Sequence, residues 1–356
     1  MADLFTPVRV GRYELSSRIV MAPMTRSRSP GGVPTELVRL YYEQRASAGL
    51  IVTEAIAPVR DGHGYVASPG LHTGEQVAAW RKVTDAVHRR AGRIFAQLMH
   101  VGRISHPLLL DGRTPIAPSP VRPAGNAHTE AGPAPFVTPR AMTESDIAQA
   151  IAGFGRAARL ALSAGFDGVE IHGANGYLPH QFLATNTNRR SDAWGGSIEN
   201  RARLLLEITR AAADAIGADR VGVRISPDYA YNSIVEDDPQ ALYAYVAEQL
   251  DAEGLAYLHV VDAQPGWDVP DLILGHYRGT LILNQGYDRA RADSDIADGR
   301  ADLVSFGVPF IANPDLPERL RTGARLNAPD PSTFYTSGAR GYTDYPTLDQ
   351  SQAEAA

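Results

Sequence analysis

Phe166-Asp-Gly-Val-Glu-Ile-His172-Gly-Ala-Asn175-Gly-Tyr177 is a short apolar run that ends in an imidazole, a carboxamide and a phenol. Val169 and Ile171 give the run the character of a buried strand, and glycines at 173 and 176 free the backbone to turn and let a ligand approach. Outward from this segment the same alternation recurs. Strands are expected at Arg18–Met21, Leu50–Ala55, Ile94–Met99, Gly168–His172, Val221–Ile225, Tyr257–Val261, Thr280–Leu283 and Leu303–Phe306. Between them lie amphipathic helices with marked ends. Thr143-Glu-Ser-Asp146 resembles a capping box, Asp238-Pro239 an N-cap with proline at the first helical position, and Asn313-Pro314 and Gly323 frame another helix. Eight βα units predict an α/β fold, a (β/α)8 TIM barrel, with a doubly wound open sheet as the alternative. Two segments exceed a minimal barrel. Val8–Ser17 suits a hairpin plugging the barrel bottom, and residues 106–140 form a Pro/Gly-rich excursion after the third strand that reads as an active-site cap. The chain, 1–356, is thus expected to be a single domain whose tail, 350–356, frays.

Composition narrows the chemistry. A net charge of −6 without a Lys/Arg cluster argues against nucleic acid as a partner. No apolar run approaches the roughly 20 residues that span a bilayer, and the N-terminus lacks signal-peptide features, so a cytoplasmic protein without a membrane partner is expected. The absence of cysteine removes disulfides, thiolate nucleophiles and iron–sulfur clusters. Lys82, the sole lysine, falls in an expected helix, which disfavours Schiff-base chemistry.

Barrel enzymes carry their reactive groups at the C-terminal ends of strands. Here those ends present Thr25-Arg26, Ala57, Gln97-His100, His172-Asn175-Tyr177, Arg224, Asn284-Gln285-Gly286 and Phe306-Gly307. They include no carboxylate pair, metal-ligand spacing or Gly-x-Ser-x-Gly elbow. Gly62-His-Gly64-Tyr-Val-Ala67 mimics a dinucleotide fingerprint, but Pro69 and not a helix follows it. Neutral donors, amides and one arginine suit a planar heterocycle with carbonyls and ring nitrogens. The glycine-bearing ends of the last two strands suit a phosphate. Together they suggest flavin mononucleotide.

The chain also resembles the old yellow enzyme family of FMN-dependent ene-reductases along nearly its whole length. The matching segments are Ala22-Pro-Met-Thr-Arg26, Gly64-Tyr-Val-Ala-Ser-Pro-Gly-Leu-His72, Gln97-Leu-Met-His-Val-Gly-Arg-Ile-Ser-His106 and His172-Gly-Ala-Asn-Gly-Tyr177. Downstream follow Trp194-Gly-Gly-Ser-Ile-Glu-Asn-Arg201, Val223-Arg-Ile-Ser-Pro227, Phe306-Gly-Val-Pro-Phe-Ile-Ala-Asn-Pro314 and Gly341-Tyr-Thr-Asp-Tyr-Pro346. The resemblance implies a non-covalent FMN reduced by NADPH or NADH. Pro23, Met24 and Ala57 would lie against its ring, Thr25 at the C4 carbonyl, Gln97 at the imide edge, and Arg224 by N1 and C2=O. Asn284, Gln285, Gly286, Phe306, Gly307 and Val308 would cradle the phosphate side. His172, counted with the cofactor contacts, and Asn175 would hold the carbonyl or nitro oxygen of an acceptor. Tyr177 would protonate the α-carbon after hydride reaches the β-carbon. Tyr65, Met99, Trp267 and Tyr342 would line the substrate mouth.

Each residue taken singly has a plainer reading: a histidine after a strand is often structural, Arg224 could be an ion-paired residue, and aromatics at a rim often only pack. Three positions depart from the family pattern. Met99 stands where many members have tryptophan, Val308 where many have arginine, and Gln285 where a second glycine is frequent. The expected partners are small activated alkenes or nitro compounds, with the chain a monomer or small homo-oligomer. Alternatives are a nitroester or nitroaromatic reductase, a non-catalytic flavin- or phenol-binding barrel, a dehydrogenase of the larger relatives, and a phosphate-binding lyase.

Overall fold

A computed structural model describes residues 2–350. Eight parallel strands close into a barrel. They are β1 (Ile19–Met21), β2 (Leu50–Ile56), β3 (Ile94–Leu98), β4 (Gly168–His172), β5 (Val221–Ile225), β6 (Tyr257–Val261), β7 (Leu281–Asn284) and β8 (Leu303–Phe306). Every residue of every strand is buried, as expected for a parallel sheet covered on both faces. The seventh strand runs one residue further than the expected Leu283. Asn284 belongs to the ladder, its side-chain amide donating to Ser305 O at 3.1 Å.

Helices α1 (Glu36–Gln44), α2 (Gly74–Arg89), α3 (Glu144–Ser163), α4 (Ile198–Ile216), α5 (Pro239–Asp251), α6 (Val269–His276), α7 (Arg289–Ala297) and α8 (Leu316–Thr322) follow the strands in turn. The capping box at Thr143 is present: its hydroxyl accepts from Asp146 N, and Asp146 accepts from Thr143 N. Asp238 stands at the N-cap of α5 as expected, but its carboxylate does not cap. It accepts two bonds at 2.9 Å from Arg201 instead, because that guanidinium is otherwise buried with its charge unmatched. Gly323 ends α8 in the left-handed region, φ +70°.

The N-terminal hairpin pairs Val8–Val10 with Tyr13–Leu15. Val10 and Leu15 join the barrel-interior residues Val20, Leu50, Val52, Phe95, Tyr257, Ile282 and Leu303 in one apolar cluster. Tyr13 donates to Asp167 O at 2.8 Å, just before β4 begins, so the hairpin closes the end opposite the strand C-termini. The excursion after β3 holds a second hairpin, Asn126–Thr129 with Gly132–Pro135, and a short parallel pairing of Ile116–Ala117 with Arg140–Ala141. Apart from Gln350, the tail expected to fray lies outside the described residues. Among the described residues no helix is long and apolar enough to cross a membrane, and no side-chain group could hold a metal ion.

Candidate active site

Strand register builds the site. Gln97 is level with Glu170, His172 with Arg224, Arg224 with His259, and Asn284 with Ser305. Adjacent strands therefore deliver an amide, an imidazole, a guanidinium and a second amide to one end of the barrel.

The segment after β4 turns through two left-handed residues, Asn175 at φ +56° and Gly176 at φ +75°. Asparagine tolerates this region. At 176 a Cβ would meet Asn232 Cβ at 2.6 Å and Tyr231 O at 2.8 Å, so glycine is required there. The Asn175 backbone is held on both sides, its N–H donating to Ser226 Oγ at 2.9 Å and its carbonyl accepting from Asn232 Nδ2 at 2.8 Å. Its side-chain Oδ1, like His172 Nδ1 and Arg224 Nε, is buried without a partner. Such orphans are uncommon unless a ligand serves them.

Tyr177 places its ring 5.0 Å from that of His172, and its hydroxyl lies 2.7 Å from Tyr65 Oη. Burial, reinforced by Tyr65, raises the Tyr177 phenol well above the ordinary tyrosine range. Burial, reinforced by Arg224, pushes the His172 imidazole well below its ordinary value. Both side chains are thus neutral hydrogen-bond donors throughout the physiological range. Met99 packs with Ala55, Val101, Ile104 and Tyr177, and Tyr65 and Phe136 border the same cluster. The excursion reaches the site through Phe136.

Arg224 donates to Asn284 Oδ1 at 2.8 Å, and Gln97 Nε2 donates to Glu170 Oε1 at 2.8 Å. Pro23, Met24 and Thr25 are half-buried after β1, and Ala57 is buried after β2. A Cβ on Gly307 would sit 3.6 Å from the Met24 sulfur, which brings the loops after β1 and β8 together. Phe306 is buried, its carbonyl accepting from Ala22 N at 3.0 Å. Gly286 opens onto free space at φ +66°. Gln285 keeps a glycine-like φ of +104° although it carries a side chain, and Val308 is exposed at the start of the short helix Val308–Ala312.

Trp267 sits at the rim, donating to Asp228 Oδ2 at 3.2 Å, beside a cleft of about 520 Å³ whose arginines 291 and 300 are matched by aspartates. Tyr342 is not at the mouth. It is fully buried and stacked on Tyr41 with centroids 4.1 Å apart, while the guanidiniums of Arg26 and Arg28 lie over its ring. Three neighbouring buried arginines favour the electron-rich faces of both tyrosines, and this outweighs exposure at the mouth. Tyr231 and Tyr335, 47% and 69% exposed, lie near enough to Tyr65 to add to the rise that burial imposes on its phenol. Sequence reasoning passed over them because phenols in loops carry no periodic signal. It also passed over Glu170 and His259, although polar residues at alternate positions of buried strands mark a barrel interior.

The donor set fits FMN: an unpartnered guanidinium nitrogen, a carboxamide held by a carboxylate, a half-buried hydroxyl and open glycine-bearing loops after β7 and β8. The "NADH:flavin oxidoreductase / NADH oxidase family" model matches residues 3–327. The chain is 44% identical over 367 residues to "Putative 12-oxophytodienoate reductase 4" of Oryza sativa subsp. japonica, covering 99% of this chain and 95% of the relative. It is 42% identical over 355 residues to "Probable flavin mononucleotide-dependent alkene reductase" of Leishmania infantum, covering 97% of each. Among solved structures, morphinone reductase in complex with tetrahydroNAD aligns with TM-score 0.95 and 47% identity over 99% of both chains. The old yellow enzyme homologue from Zymomonas mobilis aligns with TM-score 0.95 and 40% identity, over 97% of this chain and 100% of that one. The chain belongs to the NADH:flavin oxidoreductase / NADH oxidase family and is an FMN- and nicotinamide-dependent oxidoreductase of the old yellow enzyme type.

Proposed function

We propose that this protein reduces activated alkenes (enones, enals, nitroalkenes) with NADH or NADPH as reductant, as a monomer or small homo-oligomer in the cytoplasm. FMN, when bound, would supply the hydride-transfer chemistry between the nicotinamide and the alkene β-carbon. Gln97, Arg224 and Thr25 would hold its polar edges, Pro23, Met24 and Ala57 would pack against it, and the backbones of 284–286 and 306–308 would receive its phosphate. His172 and Asn175 donate to the acceptor oxygen, which draws electron density from the C=C bond. Tyr177 delivers the proton to the α-carbon. Met99, Tyr65 and Trp267 border the acceptor.

The observation that carries this reading is a neutral imidazole and a neutral phenol, 5.0 Å apart, held uncharged by burial at one strand end. One binds an oxygen that gains charge, and the other keeps a proton to give. The test is an anaerobic visible spectrum of the purified protein, before and after NADPH and then 2-cyclohexenone. A flavin band that bleaches with the nicotinamide and returns with the enone is expected. A band that bleaches but is not restored by the enone removes the acceptor assignment, and a protein that takes up no FMN removes the whole reading.

A further inference from the structure

Beneath the site, inside the barrel, a carboxylate occupies a place that no step above uses. Glu170 is fully buried on β4, two residues before His172. Its Oε1 accepts from Gln97 Nε2 at 2.8 Å, and its Oε2 lies 2.9 Å from His259 Nδ1. His259 Nε2 is in turn 2.8 Å from Ser305 Oγ. The chain Gln97–Glu170–His259–Ser305 thus crosses the barrel through β3, β4, β6 and β8. Arg224, the remaining charge facing Glu170, stands on β5 between them, and the Tyr257 phenol borders the carboxylate from β6.

We propose that Glu170 is a positioning residue whose fixed negative charge opposes Arg224 and holds the reduction potential of the bound flavin low. This rests on the FMN reading above. Both residues assigned to the pyrimidine edge are tied to this one carboxylate: Gln97 is oriented by it, and Arg224 follows by two residues the side-chain-free Gly222 that is level with Glu170, so the guanidinium lies on the same face and its charge favours the carboxylate without bonding it. That edge gains negative charge on reduction, so a guanidinium beside it favours the reduced form, and a buried carboxylate behind the guanidinium subtracts from that effect. Burial works against the ionisation of Glu170, and hydrogen bonds from Gln97 and the His259 N–H, together with the Arg224 charge, hold its carboxyl below the ordinary value. Burial lowers His259 below its ordinary value and leaves it a neutral bridge. A lower potential makes the reduced flavin a stronger hydride donor to the acceptor.

Glu170→Gln tests this, because the replacement amide can keep the bonds: its oxygen accepts from Gln97, and its nitrogen donates to His259 once the imidazole proton moves to the Ser305 side. The readout is equilibration of the FMN-loaded protein with a reference dye, not turnover. The expected result is at least a tenfold shift of the equilibrium toward reduced flavin, about 30 mV for a two-electron couple. His259→Gln, which breaks the bridge but leaves the carboxylate, is expected to shift it less than threefold. An unchanged potential in Glu170→Gln, or equal shifts in both variants, overturns the proposal while leaving the FMN assignment standing. Failure of the unsubstituted protein to bind FMN overturns the assignment itself. If Glu170→Gln does not retain FMN, isotope-edited infrared spectra of the unsubstituted protein decide. Because burial pushes Glu54 up to about 7, these spectra are compared with those of Glu54→Gln: a glutamic acid band in the protonated-carboxyl region that persists in Glu54→Gln, in either redox state, overturns the proposal, and its absence from both states supports it.

Discussion

Replacing Tyr177 by phenylalanine removes one oxygen and separates proton delivery from everything else. The ring is 8% exposed and packs against His172 and Met99, so the phenyl group remains in place. The lost hydroxyl lies 2.7 Å from Tyr65 Oη and also interacts with the Asn232 side chain, and leaving these half-buried groups without it costs about 1–3 kcal/mol of stability. General acid catalysis by a positioned side chain is worth roughly 10²–10⁴-fold, about 3–5 kcal/mol on the barrier. Anaerobic stopped-flow measurement of the two half-reactions distinguishes these effects. Flavin reduction by the nicotinamide is expected within twofold of the parent, because Tyr177 has no role in it. Single-turnover reoxidation by 2-cyclohexenone is expected to fall by at least 10²-fold. Tyr65→Phe serves as the control, since it breaks the same hydrogen bond while leaving the proton donor in place. Reoxidation of the Tyr177 variant at more than a third of the parent rate, or equal slowing of both half-reactions, refutes the assignment.

Other expectations follow from the same geometry. His172→Ala and Asn175→Ala each remove a donor to the acceptor oxygen and are expected to weaken binding of a phenol such as p-hydroxybenzaldehyde about 10- to 100-fold, at roughly 1.5–3 kcal/mol per charge-assisted bond, read by flavin absorbance titration. Unchanged affinity in both would remove them from the oxygen site. His63 and His100, each pushed down to about 4 by burial, are neutral in the fold, whereas the unfolded chain protonates near 6.5. The unfolded state then binds more protons, so stability is full above pH 6.5 and falls between pH 6.5 and 4, by up to about 3 kcal/mol per histidine. Urea melts across that window check the sign. Gln285→Gly relieves a backbone held at φ +104° and is expected to gain about 1 kcal/mol and to tighten FMN binding, read by denaturation and fluorescence titration. A destabilised variant would show that the side chain contributes more than the strain costs.

The barrel was legible because its signals are local and repeated. Each strand is an apolar run whose neighbours on both faces are buried, so the run itself carries the information, and Gly168–His172 and Val221–Ile225 end where the pattern ends. The strand-end groups His172, Gln97 and Arg224 were legible for the same reason, since position in a strand fixes position in a barrel. What lay below them was harder to read. Glu170 and His259 interrupt apolar strands at alternate positions, and only the register between strands, set by barrel closure, shows that they meet. Tyr342 illustrates the opposite failure. Gly341-Tyr342 reads as a loop aromatic available to a ligand, yet its partners Arg26, Arg28, Arg45 and Tyr41 are some three hundred positions away in the chain. No window of sequence contains that contact. Asp238-Pro239 marks the start of a helix in the sequence, but the Asp238 carboxylate serves Arg201, whose need for a countercharge appears only after folding.

The hairpin formed by Val8–Val10 and Tyr13–Leu15 has a kinetic meaning as well as a structural one. It fills the lower end of the barrel, which leaves the end carrying the strand C-termini for entry, and in the function proposed above the nicotinamide and the acceptor would come to the flavin there one after the other. Initial-rate lines for varied nicotinamide at several acceptor concentrations should therefore run parallel, and an excess of either reactant should inhibit by blocking the other's entry. A sealed floor turns a two-substrate reaction into a queue.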